Sequence, residues 1–226
     1  MTSGDNSFPS RLTKIDDLTR GDHTHLEVDD ECLFFGDYTA RVGAAYSKTN
    51  QLIYNFKKPL SRKGKNDWPY KARAINAAAA AFSDSIDVRF SNITLVPVPP
   101  SKLKTDPKYD DRLMEMLGKL KAPRGAVVDV RELVVQTEPM PAAHDSANRP
   151  PPSDWEKVYA IDERLAENIP TWICIVDDLL VTGCRFRAMS NVLKKRFPQV
   201  RITGLFIARR VPLAVDVEDI FDNPDN

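Results

Sequence analysis

The sequence predicts an α/β protein, a parallel sheet flanked by helices on both faces with a small N-terminal meander. Three observations predict it. Four short apolar runs, at 93–98 (ITLVPV), 125–130 (GAVVDV), 171–178 (TWICIVDD) and 200–207 (VRITGLFI), are continuous, as strands covered on both faces are. Helical spacing at 109–121 and 185–197 separates them, so strand and helix alternate. The chain has 226 residues, 42% hydrophobic and 28% charged, which suits one domain large enough to bury a single core.

In chain order, residues 1–30 are polar, mixed in charge and without a period, which predicts an irregular arm. The stretch 31–56 is rich in Phe, Tyr, Val and Thr and is broken by Gly36, Gly43 and Ser-Lys-Thr-Asn, which predicts a short antiparallel meander. Lys57, Lys58, Arg62, Lys63 and Lys65 follow with no acid among them, either as a solvated loop or as an anion-facing rim. Residues 70–82 (YKARAINAAAAAF) are strong helix formers. Residues 133–156 hold five of the 17 prolines and predict a lid, a binding loop or disorder, with His144 and Arg149 as its chemical handles. The last residues, 214–226, read as a solvated acidic tail, leaving 31–213 as the single domain.

Lys+Arg and Asp+Glu are both 32, so no global field steers the chain toward nucleic acid or an anionic membrane. Any anion binding must be local. The three cysteines, Cys32, Cys174 and Cys184, form no C-x-x-C pair, so neither a disulfide framework nor a structural zinc site is encoded. A reducing cytoplasm fits this usage, and no apolar run reaches membrane-spanning length. The expectation is a soluble, unprocessed cytoplasmic protein. His23 and His25, lacking a third ligand, read as surface residues.

The segment ICIVDDLLVTGCRFRAM carries the chemistry. Four apolar residues deliver Asp177 and Asp178 to a strand end, and the chain then turns into a helix marked by Phe186, Met189, Leu193 and Phe197. Thr182 and Gly183 fall where backbone N–H groups at the helix start form an anion nest, with Arg185 a cation beside it. Paired carboxylates beside such a nest suit a ligand that is both polyhydroxylated and phosphorylated, and they can hold Mg²⁺. No G-x-x-x-x-G-K-[ST], G-x-G-x-x-G or G-x-S-x-G occurs, which removes the signatures of nucleoside triphosphatases, dinucleotide-binding folds and α/β-hydrolases.

The run Val176-Asp177-Asp178-Leu179-Leu180-Val181-Thr182-Gly183 resembles the phosphoribosyl-pyrophosphate (PRPP) signature of type I phosphoribosyltransferases. The resemblance extends over about residues 38–212 to the ComF-like phosphoribosyltransferases, through Leu52-Ile53-Tyr54-Asn55-Phe56-Lys57, Pro97-Val98-Pro99 and Phe206-Ile207-Ala208-Arg209. Two positions depart from that family: Lys108-Tyr109-Asp110-Asp111-Arg112 replaces its Arg-Gly-Phe-Asn run, and Arg185 stands where a small hydroxyl residue is usual.

The resemblance implies a type I phosphoribosyltransferase-like sheet with a hood at 31–65 and a mobile catalytic loop at 133–156 bearing His144 and Arg149. It implies that Asp177 and Asp178 hold the ribose hydroxyls and, directly or through water, Mg²⁺. Val181, Thr182, Gly183, Cys184 and Arg185 would wrap the 5′-phosphate, and Ser101, Lys102 and Lys104 the pyrophosphate. The implied reaction transfers phosphoribosyl to a small nitrogen-containing molecule and releases pyrophosphate. Alternatives of another class are a non-catalytic PRPP or nucleotide sensor and a partner-binding effector in DNA uptake or defence. The acceptor stays open, as does assembly as a homodimer or with a protein partner.

Overall fold

The structure, a computed structural model, describes residues 8–85, 92–122, 127–140, 150–168 and 171–212. Its elements in order are β1 (Thr13–Lys14), α1 (Asp17–Arg20), β2 (Glu31–Thr39), α2 (Lys48–Phe56), α3 (Pro69–Ser85), β3 (Ile93–Pro97) and α4 (Arg112–Leu117). There follow β4 (Asp129–Val130), β5 (Val134–Gln136), α5 (Pro152–Val158), β6 (Tyr159–Ile161), β7 (Trp172–Leu180), α6 (Cys184–Arg196) and β8 (Arg201–Val211). Six strands form one sheet in the order β1-β2-β8-β7-β3-β4. Only β1 runs antiparallel to its neighbour. The chain is thus an α/β protein with a mostly parallel central sheet flanked by helices.

Three of the four apolar runs make the centre of that sheet and are buried on both faces. Ile93, Leu95 and Val96 of β3, Ile173 to Val176 of β7 and Leu205 to Ala208 of β8 are all buried. The run expected as a buried strand at 125–130 contributes, among its described residues, only the half-exposed edge strand β4, with Val127 88% exposed, because an edge position leaves it without a covering neighbour. Alternation along β2 shows which helix covers which face. Phe34 is in register with Phe206, which meets Phe186 of α6, whereas Phe35 points the other way and packs on Phe82 of α3 with ring centroids 5.0 Å apart. Helices α3 and α6 therefore cover opposite faces.

The antiparallel meander expected at 31–56 is overturned. β2 pairs parallel with β8, and Lys48–Phe56 is helix α2, capped by the Ser47 side chain accepting from the Asn50 N–H. Leu52, Ile53 and Phe56 recur at helical spacing and are buried, and that burial outweighs the strand preference of their aromatic and β-branched types. The arm expected at 1–30 is also built over its described part. β1 adds an edge strand, Asp16 and Thr19 form a capping box on α1, and Ile15 and His23 are buried.

Residues 133–156 are not one continuous loop either. Their first part is β5, which forms a two-stranded antiparallel sheet with β6, and their last part enters α5, which packs on α6. His144 and Arg149 lie outside the described residues, as does the acidic tail. No helix among the described residues is long and apolar enough to cross a membrane.

Candidate functional site

The carboxyl ends of β3 and β7 lie side by side, tied by Val98 N–H donating to Val176 O at 2.8 Å. In sheets of this kind ligands bind where such strand ends open into a crevice. Asp177 and Asp178 stand at that edge, and because strand side chains alternate they face opposite ways.

Asp178 turns into a cluster of cations. Lys57, at the end of α2, donates to Oδ1 at 2.8 Å, and Arg112, at the start of α4, donates to Oδ2 from Nη2 at 2.7 Å and Nε at 3.0 Å. Beneath them Lys71, itself buried, donates to the carbonyls of Phe56 and Lys58 and to Asp110, which also accepts from Arg112. Burial alone would raise the Asp178 carboxyl, yet the two cations outweigh it and hold it well below the usual carboxylate range. Asp178 is 3% exposed, so its two oxygens serve this cluster before any ligand.

Asp177 is the converse. Burial and the adjacent Asp178 charge push its carboxyl up, opposed by the more distant Arg185 and Lys57. Its only hydrogen bond among the described residues accepts the Asp178 N–H at 2.8 Å. It forms part of the wall of two clefts.

The larger cleft, ≈ 910 Å³, runs from Asp177 along Pro97 to Thr105 and out to β5. Ser101, Lys102 and Lys104 line it. The Lys104 ammonium lies 2.7 Å from Glu132 across the cleft, and Lys102 lies 4.0 Å from Asp106. A third hollow, ≈ 380 Å³, shares Lys57, Ser101, Lys102 and Arg112 with it and adds Lys108.

The smaller cleft, ≈ 250 Å³, is lined by Val181, Thr182, Gly183, Cys184 and Arg185 together with His25 and Trp155. Gly183 caps α6 at φ +80, a conformation only glycine adopts without strain, and a Cβ there would meet the Leu26 side chain at 2.7 Å. At that turn the Cys184 N–H donates to the Thr182 hydroxyl at 3.4 Å. Burial pushes the Cys184 thiol up to about 11, so it is no thiolate nucleophile near neutrality.

Arg185 separates the two clefts. Its guanidinium leaves the loop, donates from Nε to the Tyr159 hydroxyl at 3.1 Å and from Nη2 to Pro99 O, and stacks over Trp155 at 5.0 Å. Of the residues expected at the site, Ser101, Lys102, Lys104, Asp177 and the 181–185 loop line these clefts, whereas Asp178 lines neither and turns to Lys57 and Arg112.

Sequence reasoning missed the supports. His23, expected at the surface, is buried with Nδ1 2.6 Å from Val181 O, and His25 N–H donates to Thr182 O at 2.8 Å. Trp155 and Tyr159 gave no signal, whereas Lys57 and Arg112 sat in flagged runs without a role. Compared with known proteins, the chain matches no family model, and no curated protein matches it.

Proposed function

We propose that the protein is a phosphoribosyltransferase of the type I kind, binding PRPP with Mg²⁺ and transferring phosphoribosyl to a nitrogen nucleophile. One observation carries this reading: Asp177 stands between a lysine-bearing proline-rich loop and a glycine-turned helix start, each on its own cleft. A sugar seated on that carboxylate would have its 5′-phosphate toward Val181 to Cys184 and its C1 substituent toward Ser101, Lys102 and Lys104. Pro97, Pro99 and Pro100 restrict the second loop, which lowers the entropy cost of presenting its donors.

In the reaction the C1–O bond to pyrophosphate breaks, with the electron pair leaving on pyrophosphate, as the C1–N bond forms and the nitrogen gives up a proton. Positive charge on the sugar and negative charge on the leaving group develop together. Asp177 faces the first and the two lysines the second. Among the described residues no group of three or more His, Cys, Asp or Glu side chains could hold a metal. Asp177 has no contact cation among the described residues, so Mg²⁺ held there would take most of its ligands from the substrate's oxygens and water, as that ion commonly does. Bound so, it would neutralise the departing pyrophosphate.

The test is thermal unfolding of the full chain with PRPP and Mg²⁺, alongside Asp177→Asn, with pyrophosphate release followed in parallel. At ~100 times the dissociation constant the ligand stabilises the wild type by ~2.7 kcal/mol. The expected result is that shift in wild type, its loss in the variant, and pyrophosphate released on addition of amine or base acceptors. A shift without release makes the protein a PRPP sensor, and no shift at any concentration ends the ribose-phosphate reading.

A further inference from the structure

Arg185 occupies a phosphate-loop position in sequence, but its guanidinium points elsewhere. It crosses to Pro99 at the end of β3 and to Tyr159 at the start of β6, leaving the helix start behind it. Among the described residues no carboxylate lies within salt-bridge reach of it. Asp177 acts on it only through space, after Tyr159. A guanidinium in such a partly buried place is ordinarily matched by a contact anion, because an uncompensated charge there is costly.

The fork is held but not used up. Of the five N–H donors of an arginine, one on Nε and one on Nη2 are engaged, both by neutral oxygens, and three are left. Nη1 makes no hydrogen bond among the described residues, and Arg185 lines both clefts. Stacking on Trp155 at 5.0 Å fixes the guanidinium plane. On the larger cleft it faces the same space as Lys102 and Lys104.

We propose that Arg185 is the recognition residue for a diphosphate group in the larger cleft, not for the sugar 5′-phosphate its place in the chain suggests. Trp155, Tyr159 and Pro99 are its positioning partners. A planar fork matches two oxygens of one phosphoryl group, which a lysine cannot do. The site therefore discriminates a ribose bearing pyrophosphate at C1 from ribose 5-phosphate. The identity of the sugar rests on the ribose-phosphate reading above, whereas the anion site does not.

The experiment is isothermal titration calorimetry of the full chain with inorganic pyrophosphate, ribose 5-phosphate and PRPP, each with Mg²⁺, on wild type, Arg185→Gln, Arg185→Lys and Tyr159→Phe. Arg185→Gln should weaken pyrophosphate and PRPP by about tenfold or more, the loss of one charge-assisted fork. Ribose 5-phosphate should stay within about twofold, a selectivity that a merely structural role would not give. Arg185→Lys, which keeps the charge and loses the fork, should fall between, and it decides the matter if the glutamine variant does not fold. Tyr159→Phe should lower pyrophosphate affinity by a smaller factor of about two to three.

Equal weakening of ribose 5-phosphate and pyrophosphate would return Arg185 to the 5′-phosphate and overturn the proposal. Tighter PRPP binding by Arg185→Gln would also overturn it, making the side chain a plug between the clefts. Wild type that binds pyrophosphate through Arg185 but neither ribose phosphate would end the PRPP reading and leave this one standing. Wild type that binds none of the three probes would end both.

Discussion

Asp177 and Asp178 are neighbours in the chain with opposite surroundings. Around Asp178 nearly every charge has a contact partner: Lys57 and Arg112 on the carboxylate, and Lys71 with Arg112 on Asp110. On the other side Asp177 and Arg185 influence each other through space, and their remaining capacity opens to the clefts. Charges satisfied internally hold the end of α2, the start of α4 and the end of β7 in one arrangement. Charges left without contacts are those a ligand can complete, which is why perturbed groups cluster at functional sites.

The comparison breaks most visibly at Asp178. Asp178→Asn strips a buried anion from two cations and should cost about 3 kcal/mol, read by urea unfolding, tempered because Lys57 is 42% exposed. A loss under about 0.5 kcal/mol would mean the cluster is no anchor. Asp177→Asn should instead leave the unliganded protein as stable or up to about 1 kcal/mol more so, since it removes a buried charge beside another. It should still erase the ligand-induced shift.

Gly183→Ala should lower stability by about 1–2 kcal/mol through its left-handed backbone and the Leu26 contact, and should abolish ribose 5-phosphate binding. Unchanged binding in a folded Gly183→Ala protein would remove the helix start from the site.

Acidification sharpens the contrast with a smaller effect. The folded Asp178 carboxyl lies below its ordinary value of 3.8, so the unfolded chain takes up protons first. Its stabilisation is complete above that value and is lost as pH falls through the range beneath it. Asp177 is raised, so its ionisation opposes folding as pH climbs above 3.8. Melting curves of Asp177→Asn should therefore show acid destabilisation below about pH 4 without that opposition, and Asp178→Asn should lose the largest part of it.

Much of this architecture was legible because it is written locally. Strands β3, β7 and β8 announced themselves as continuous apolar runs, α3 by its alanines, and α6 by Phe186, Met189 and Leu193 on one face. Where local signals conflicted, the reading failed. Leu52 to Phe56 carry strand-favoured types in a helical period, and only contact with β2 and α3 decides for helix. The site divided the same way: the acids, the glycine turn and the basic proline-rich loop stood in short motifs, whereas their partners came from 121, 66 and 26 residues away, at Lys57, Arg112 and Tyr159.

By itself, the sequence determined which segments are apolar enough to be central strands, and that two carboxylates meet a glycine turn at the end of one of them. The pairing of β2 beside β8, the packing of the N-terminal segment on the 181–185 loop, and the division of labour between Asp177 and Asp178 were decided by tertiary structure. The physical reason is that propensity and spacing act over a few residues, whereas strand register, burial and charge pairing depend on groups brought together across the whole chain.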